Sequence, residues 1–66
     1  MAEQGTFTVH TKTYRFPTST RIQYYGRVEG LHGWWKTSRE FDFHVDARVW
    51  CLNRLKERGL QPVEKS

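Results

Sequence analysis

The stretch Arg21–Phe43, RIQYYGRVEGLHGWWKTSREFDF, carries two alternating runs joined by a glycine-bounded loop. Up to Glu29 it alternates: Ile22, Tyr24 and Val28 fall on one side with Gly26 between them, and Arg21, Gln23, Tyr25 and Arg27 fall on the other. Side chains of an extended chain point alternately to opposite faces, so this period predicts a strand with one buried and one open face. Gly30-Leu31-His32-Gly33 has a glycine at each end and reads as a hairpin loop. Trp34–Phe43 alternates again, with Trp35, Thr37, Arg39, Phe41 and Phe43 opposed to Trp34, Lys36, Ser38, Glu40 and Asp42. A four-residue loop pairs Glu29 with Trp34, Val28 with Trp35 and Ile22 with Phe41, apolar against apolar. It also sets Arg21 opposite Asp42, Gln23 opposite Glu40, Tyr25 near Ser38 and Arg27 near Lys36. A five-residue loop sets Ile22 against Glu40 instead, so matched faces select the shorter one.

Working outward, Thr6–Phe16 is rich in Thr, Val, Phe and Tyr, which favour strands. Its apolar positions change phase, from Phe7 and Val9 to Tyr14 and Phe16, which predicts a bulge or bend near Thr11–Thr13. Pro17-Thr18-Ser19-Thr20 reads as a turn. From about His44 the period becomes helical: Val45, Val49, Leu52 and Leu55 form an apolar arc with Cys51 at its flank, and Trp50 points to the opposite side. Asp42 or His44 is placed to cap the start, and Gly59 followed by Pro62 ends the helix. Met1–Gly5 reads as a loose lead-in and Leu60–Ser66 as a loose tail, so one small domain, 1–66, is expected to have its ordered core over about 6–59. The predicted class is α+β: a three-stranded antiparallel sheet in β-β-β-α order, with one C-terminal helix packed on one face. Ile22, Val28, Trp35 and Phe41 are the expected sheet contribution to the core.

Composition limits the function classes. The 66 residues carry a formal charge of +4, a pI of about 9.6 and a mean hydropathy of −0.82. That length leaves room for one domain with a thin core, a poor frame for a dry catalytic pocket, so a non-enzyme is expected. No apolar run is long enough to cross a membrane, and no secretory signal is visible. The single cysteine, Cys51, cannot form an internal disulfide, and points to a reducing, intracellular, cytoplasmic setting. The aromatic share of 15%, with three tryptophans, argues for a folded chain.

The positive charge is uneven. Gln4–Val28 holds four cations, Lys12, Arg15, Arg21 and Arg27, and no acid. The open sheet face is expected to carry Arg21, Gln23, Tyr25, Arg27, Trp34 and Lys36, with Ser38. Cations there suit phosphates, Gln and Arg suit base edges, and Tyr and Trp suit stacking. A two-stranded ribbon also fits the major groove of B-form DNA. These six residues are therefore the candidate nucleic-acid-binding set, with duplex DNA favoured over a single strand or RNA.

With Arg21, Gln23 and Arg27 on one strand, Trp34 and Lys36 on the next, and a Phe41-to-Ala47 strand-to-helix junction, the chain resembles two DNA-binding families. These are the plant ethylene-response-factor domains and the arm-binding domains of tyrosine recombinases. The resemblance covers roughly Tyr14–Gly59 and implies a sheet laid in the major groove with those five residues as contacts. Glu40 and Asp42 at the sheet edge, and the aromatic-rich first segment, depart from that pattern.

Other chemistries find less support. His10, His32, His44 and Cys51 have no zinc-ligand spacing, no glycine loop cradles a phosphate, and no cofactor is implied. The alternating Glu40, Asp42, His44 and Asp46 are read as caps and arginine partners. The competing function is a small adaptor or inhibitor, of the sort encoded by phages, that binds another protein through the sheet face or Trp50. So thin a core also leaves open the pairing of two copies through an edge strand or Trp50.

Overall fold

A computed structural model describes residues 3–65. Strand β1 (Gln4–Arg15) turns at Pro17-Thr18 into β2 (Thr20–Glu29). A short 3-10 turn, Leu31–Gly33, leads to β3 (Trp35–Thr37), helix α1 spans His44–Glu57, and β4 covers Gln61–Glu64. The sheet order is β3-β2-β1-β4, with β4 parallel to β1. The fold is therefore α+β, but the sheet is four-stranded and mixed, not three-stranded and antiparallel.

The extra strand follows from how the helix ends. Gly59 takes the left-handed conformation (φ 72°), the Gly59 N–H bonds the Lys56 carbonyl at 2.9 Å, and the Leu60 N–H bonds that of Leu55 at 2.9 Å. This paired cap turns the chain back toward the sheet and drives Leu60 into the core beside Leu55. Gln61–Glu64 then runs parallel to β1, from Gln4↔Gln61 to Phe7↔Glu64. The segment read as a loose tail is in this way a strand, and Gln4 and Gly5 of the supposed lead-in are its partners. Met1, Ala2 and Ser66 lie outside the described residues.

β1 runs without the expected bulge, in unbroken register with β2 from Thr6↔Glu29 to Arg15↔Thr20. Its phase change reflects coverage, not backbone irregularity. A 14-residue helix is roughly 21 Å long and a 12-residue strand roughly 40 Å, so α1 shields only the proximal half of the β1–β2 ribbon. The distal half projects, and the molecule is 52 Å long by about 20 Å in the other two directions.

The β2–β3 hairpin has the five-residue loop: Glu29 faces Trp35, Val28 faces Lys36 and Arg27 faces Thr37. His32 and Gly33, both at positive φ (61° and 76°), make the tight turn, and the Gly30 N–H bonds the Trp34 carbonyl at 2.8 Å. This shift by one residue exchanges the two faces. Trp34 goes to the helix side, half-buried against the core, and Trp35 goes to the open side. Beyond Thr37 an extra residue enters the strand: Ser38 engages Gly26, and the next bridge is Tyr24↔Phe41. That bulge returns Phe41 to the helix side, but opposite Tyr24 and not Ile22, and Val28 faces Lys36 and not Trp35, so neither apolar pair expected from the shorter loop forms.

The core comprises Phe7, Val28, Ala47, Cys51, Leu55 and Leu60. Ile22 and Trp35, expected inside, are 48% and 56% exposed. The inner helix face is Ala47, Cys51 and Leu55, four residues apart, with Leu52 half-buried at its flank; Val45 and Val49 of the expected arc are exposed. Trp50 does not point away from the sheet but packs half-buried against the core, with the Arg54 guanidinium 5.7 Å from its ring. Phe43 occupies the N-cap position without a side-chain cap, so neither Asp42 nor His44 caps the helix.

Burial pushes the Cys51 thiol from 9.0 up to about 11. The unfolded chain releases this proton near pH 9 whereas the folded chain holds it to about 11, so the stabilisation is complete below pH 9 and declines between those values. Over that window the loss from this group is expected to be roughly 2–3 kcal/mol. Urea unfolding of the native chain and Cys51→Ala at pH 8 and 10.5 checks this: the native chain should lose more stability between the two values. Equal losses would show that the thiol does not contribute.

Candidate nucleic-acid interface

The face of the sheet away from α1 is built by the even residues of β1 and the odd residues of β2, because each strand alternates and the ladder keeps a single register. Along it, Tyr14 faces Arg21, Lys12 faces Gln23, His10 faces Tyr25, and Thr8 faces Arg27. β3 adds Trp35 and Thr37, and Lys65 follows β4. His10, Tyr25, Arg27, Thr37 and Lys65 line an open groove of about 510 Å³.

Three aromatic groups lie at or beside that groove. His10 and Tyr25 stack on each other, ring centroids 5.1 Å apart and planes inclined by 21°. The Arg27 guanidinium lies 4.5 Å from the centre of the Trp35 ring, a cation–π arrangement that leaves much of the indole open to solvent. Flat rings on a flat sheet offer π surfaces on which a base can stack.

The electrostatics of this face are more balanced than the sequence implies. Arg27 Nε donates to Glu29 at 3.0 Å, and Lys65 Nζ approaches the other Glu29 oxygen at 4.0 Å. These two cations, Arg27 foremost by its hydrogen bond, lower the Glu29 carboxyl below its ordinary range. Asp42 accepts from Gln23 at 2.9 Å and from Arg21 at 3.2 Å, and is lowered by those bonds in that order. Glu40 accepts the Tyr14 hydroxyl and sits 4.0 Å from Lys12 Nζ. Lys12, Arg21, Arg27 and Lys65 against Glu29, Glu40 and Asp42 leave this face at +1, from four cations and three acids. The other +3 of the net charge lies elsewhere on the molecule.

Of the six candidate residues, Arg21, Gln23, Tyr25 and Arg27 share the open face. Trp34 and Lys36 do not: the five-residue loop turns both to the helix side, where the Arg58 guanidinium covers the Trp34 ring at 4.0 Å. The expected pairing of Arg21 with Asp42 is present, but Gln23 bonds Asp42 rather than Glu40. His10, Trp35 and Lys65 complete the face and were not among the candidates. The signal for His10 lay in the Pro17-Thr18 turn. Once Phe16 and Ser19 close it, every β1–β2 pair follows, including His10 with Tyr25.

Among the described residues no group of three His, Cys, Asp or Glu side chains is placed to hold a metal ion, and no helix is long and apolar enough to cross a membrane. No family model, curated protein or solved structure matches the chain.

Proposed function

We propose that this protein is a non-enzymatic nucleic-acid-binding module that takes its ligand on the open sheet face, a single strand in preference to a duplex. The observation that carries the reading is the stacked His10–Tyr25 pair, set between Arg27 and Lys65 on one side and Lys12 on the other. Stacking on aromatic rings requires unpaired bases, whereas a duplex presents mainly phosphates to a flat sheet. A face of only +1 favours the ligand that gains from stacking as well as from charge. Arg27, Lys65 and Lys12 are assigned to phosphates, Tyr25, His10 and Trp35 to bases, and Arg21 and Gln23 to the distal end of the strand.

Fluorescence anisotropy with labelled single-stranded DNA, RNA and a duplex of equal length tests this. Tyr25→Ala is expected to weaken single-strand binding by about 5- to 150-fold, the loss of one stacked base. Neutralisation of three phosphates gives a log–log salt slope of roughly −2. Absence of binding to all three ligands at low salt overturns the reading; duplex binding that is indifferent to Tyr25→Ala overturns the preference for single strands. The rival adaptor reading loses Trp50 as a protruding anchor, since that ring packs against the core.

A further inference from the structure

The outer edge of β1 is half empty. β4 pairs with Gln4–Phe7 only, and among the described residues nothing pairs with this edge from Thr8 to Arg15. Phe16 and Ser19 exchange both hydrogen bonds at the hairpin end, at 2.8 and 3.4 Å. Bonded and non-bonded pairs alternate along an antiparallel ladder, so the even residues of β1 bond β2, and Val9, Thr11, Thr13 and Arg15 turn their N–H and C=O outward. The Lys65 N–H on the Phe7 carbonyl, at 2.8 Å, agrees with that parity. This edge runs in unbroken register without proline or bulge, and the features on it that oppose strand addition are the charges of Lys12 and Arg15.

We infer that two copies of this chain pair antiparallel through the outer edges of β1, about a two-fold axis at Thr13. The occupant is a second copy because the edge is self-complementary in one register. With Thr13 opposite Thr13 of the second copy, Thr11 meets Arg15 and Lys12 meets Tyr14, so no like charges face each other. Three bonded pairs form, Thr11–Arg15, Thr13–Thr13 and Arg15–Thr11, with six hydrogen bonds for backbone groups otherwise left to water.

Sterics select this register over its neighbours. The second copy's hairpin tip, Phe16-Pro17, falls opposite His10 and Val9, just short of the position that Lys65 occupies beside Thr8. A two-fold axis at Lys12 sets Lys12 against itself and pushes the tip onto Lys65. An axis at Thr11 places Arg15 against Phe7, whose carbonyl is already taken. An axis at Tyr14 keeps only four of the six bonds. The accepted register also covers Phe16, which is 54% exposed in the single chain. It joins the two open faces into one surface.

Sedimentation at the concentrations used for NMR, together with three variants, tests the pairing. The native chain should sediment as a dimer. Thr13→Pro removes an outward N–H that the single chain does not use, so it should sediment as a monomer with an unchanged far-UV spectrum. Thr13→Cys should form an intermolecular disulfide on mild oxidation, since Cα atoms in a bonded pair lie about 5.5 Å apart. Thr11→Cys should not, because Thr11 lies roughly 13 Å from its counterpart in this register. Cys51 is buried and gives no background. A monomeric native chain, or equal cross-linking of the two cysteine variants, overturns the inference; if Thr13→Pro fails to fold, the cysteine pair decides alone.

Discussion

Gly26→Ala is expected to destabilise the protein by about 2–3 kcal/mol, although the same change in an open strand stabilises. Gly26 lies in β2 directly beneath α1. A Cβ there would overlap the Cys51 sulfur, and would stand 3.1 Å from the Ala47 carbonyl oxygen and 3.3 Å from the Trp50 ring. The sulfur is on a short side chain in a packed core, and the carbonyl belongs to the helix backbone, so relief requires the helix to lift from the sheet. A double-mutant cycle isolates the cause. Cys51→Ala vacates the space that the new methyl group enters, so the double variant should be more stable than the sum of the single losses predicts. Strict additivity in urea unfolding would show that the helix does not seat on Gly26 as described. Tyr25 sits beside Gly26 on the opposite face, so a lifted helix should also loosen the proposed ligand surface.

Leu55→Ala is expected to cost 2–5 kcal/mol, the range for emptying a leucine site in a core that cannot collapse. Leu55 is fully buried, packs over Gly5 at the β1–β4 end, and supplies the carbonyl that caps the helix through Leu60. Domains carry roughly 0.05–0.15 kcal/mol of stability per residue, which for 66 residues is only about 3–10 kcal/mol. One substitution therefore removes a large share of the total. Thermal unfolding by circular dichroism should fall by more than about 10 °C. Val63→Ala, on an exposed β4 position, should move the midpoint by far less. Similar shifts for both would mean that the helix end and β4 do not form one packed unit with the sheet. Both comparisons belong at a single protein concentration, since the proposed pairing makes the midpoint concentration-dependent.

Much of the local structure was legible in the sequence because local chemistry settles it. The alternation from Arg21 to Glu29 made β2, Pro17-Thr18 made the turn, and Gly59 ended the helix. Four of the six candidate contacts share a face for the same reason: they lie on one strand, and a strand's parity is internal to it. Trp34 and Lys36 were placed across a loop. There a difference of one residue between two plausible loop lengths inverts every assignment that follows. Apolar matching favours the wrong length because it requires Ile22 and Trp35 to be buried, whereas Ile22 lies exposed toward the distal end of the ribbon and Trp35 is on the face away from the helix.

A basic, aromatic-rich α+β chain, the presence of β1, β2 and α1, and the grouping of Arg21, Gln23, Tyr25 and Arg27 are all readable from the residues alone. Each of these rests on interactions within a few residues, which composition and period encode directly. The loop register, the exchange of Trp35 for Trp34, the parallel β4 and the arrival of Lys65 at the open face came from tertiary packing, whereas His10 follows from the Pro17-Thr18 turn. The features set by packing depend on which distant surfaces can be buried together. The close packing of Leu55 and Leu60 over Gly5, and of Cys51 over Gly26, is a requirement of that kind, which no single segment carries.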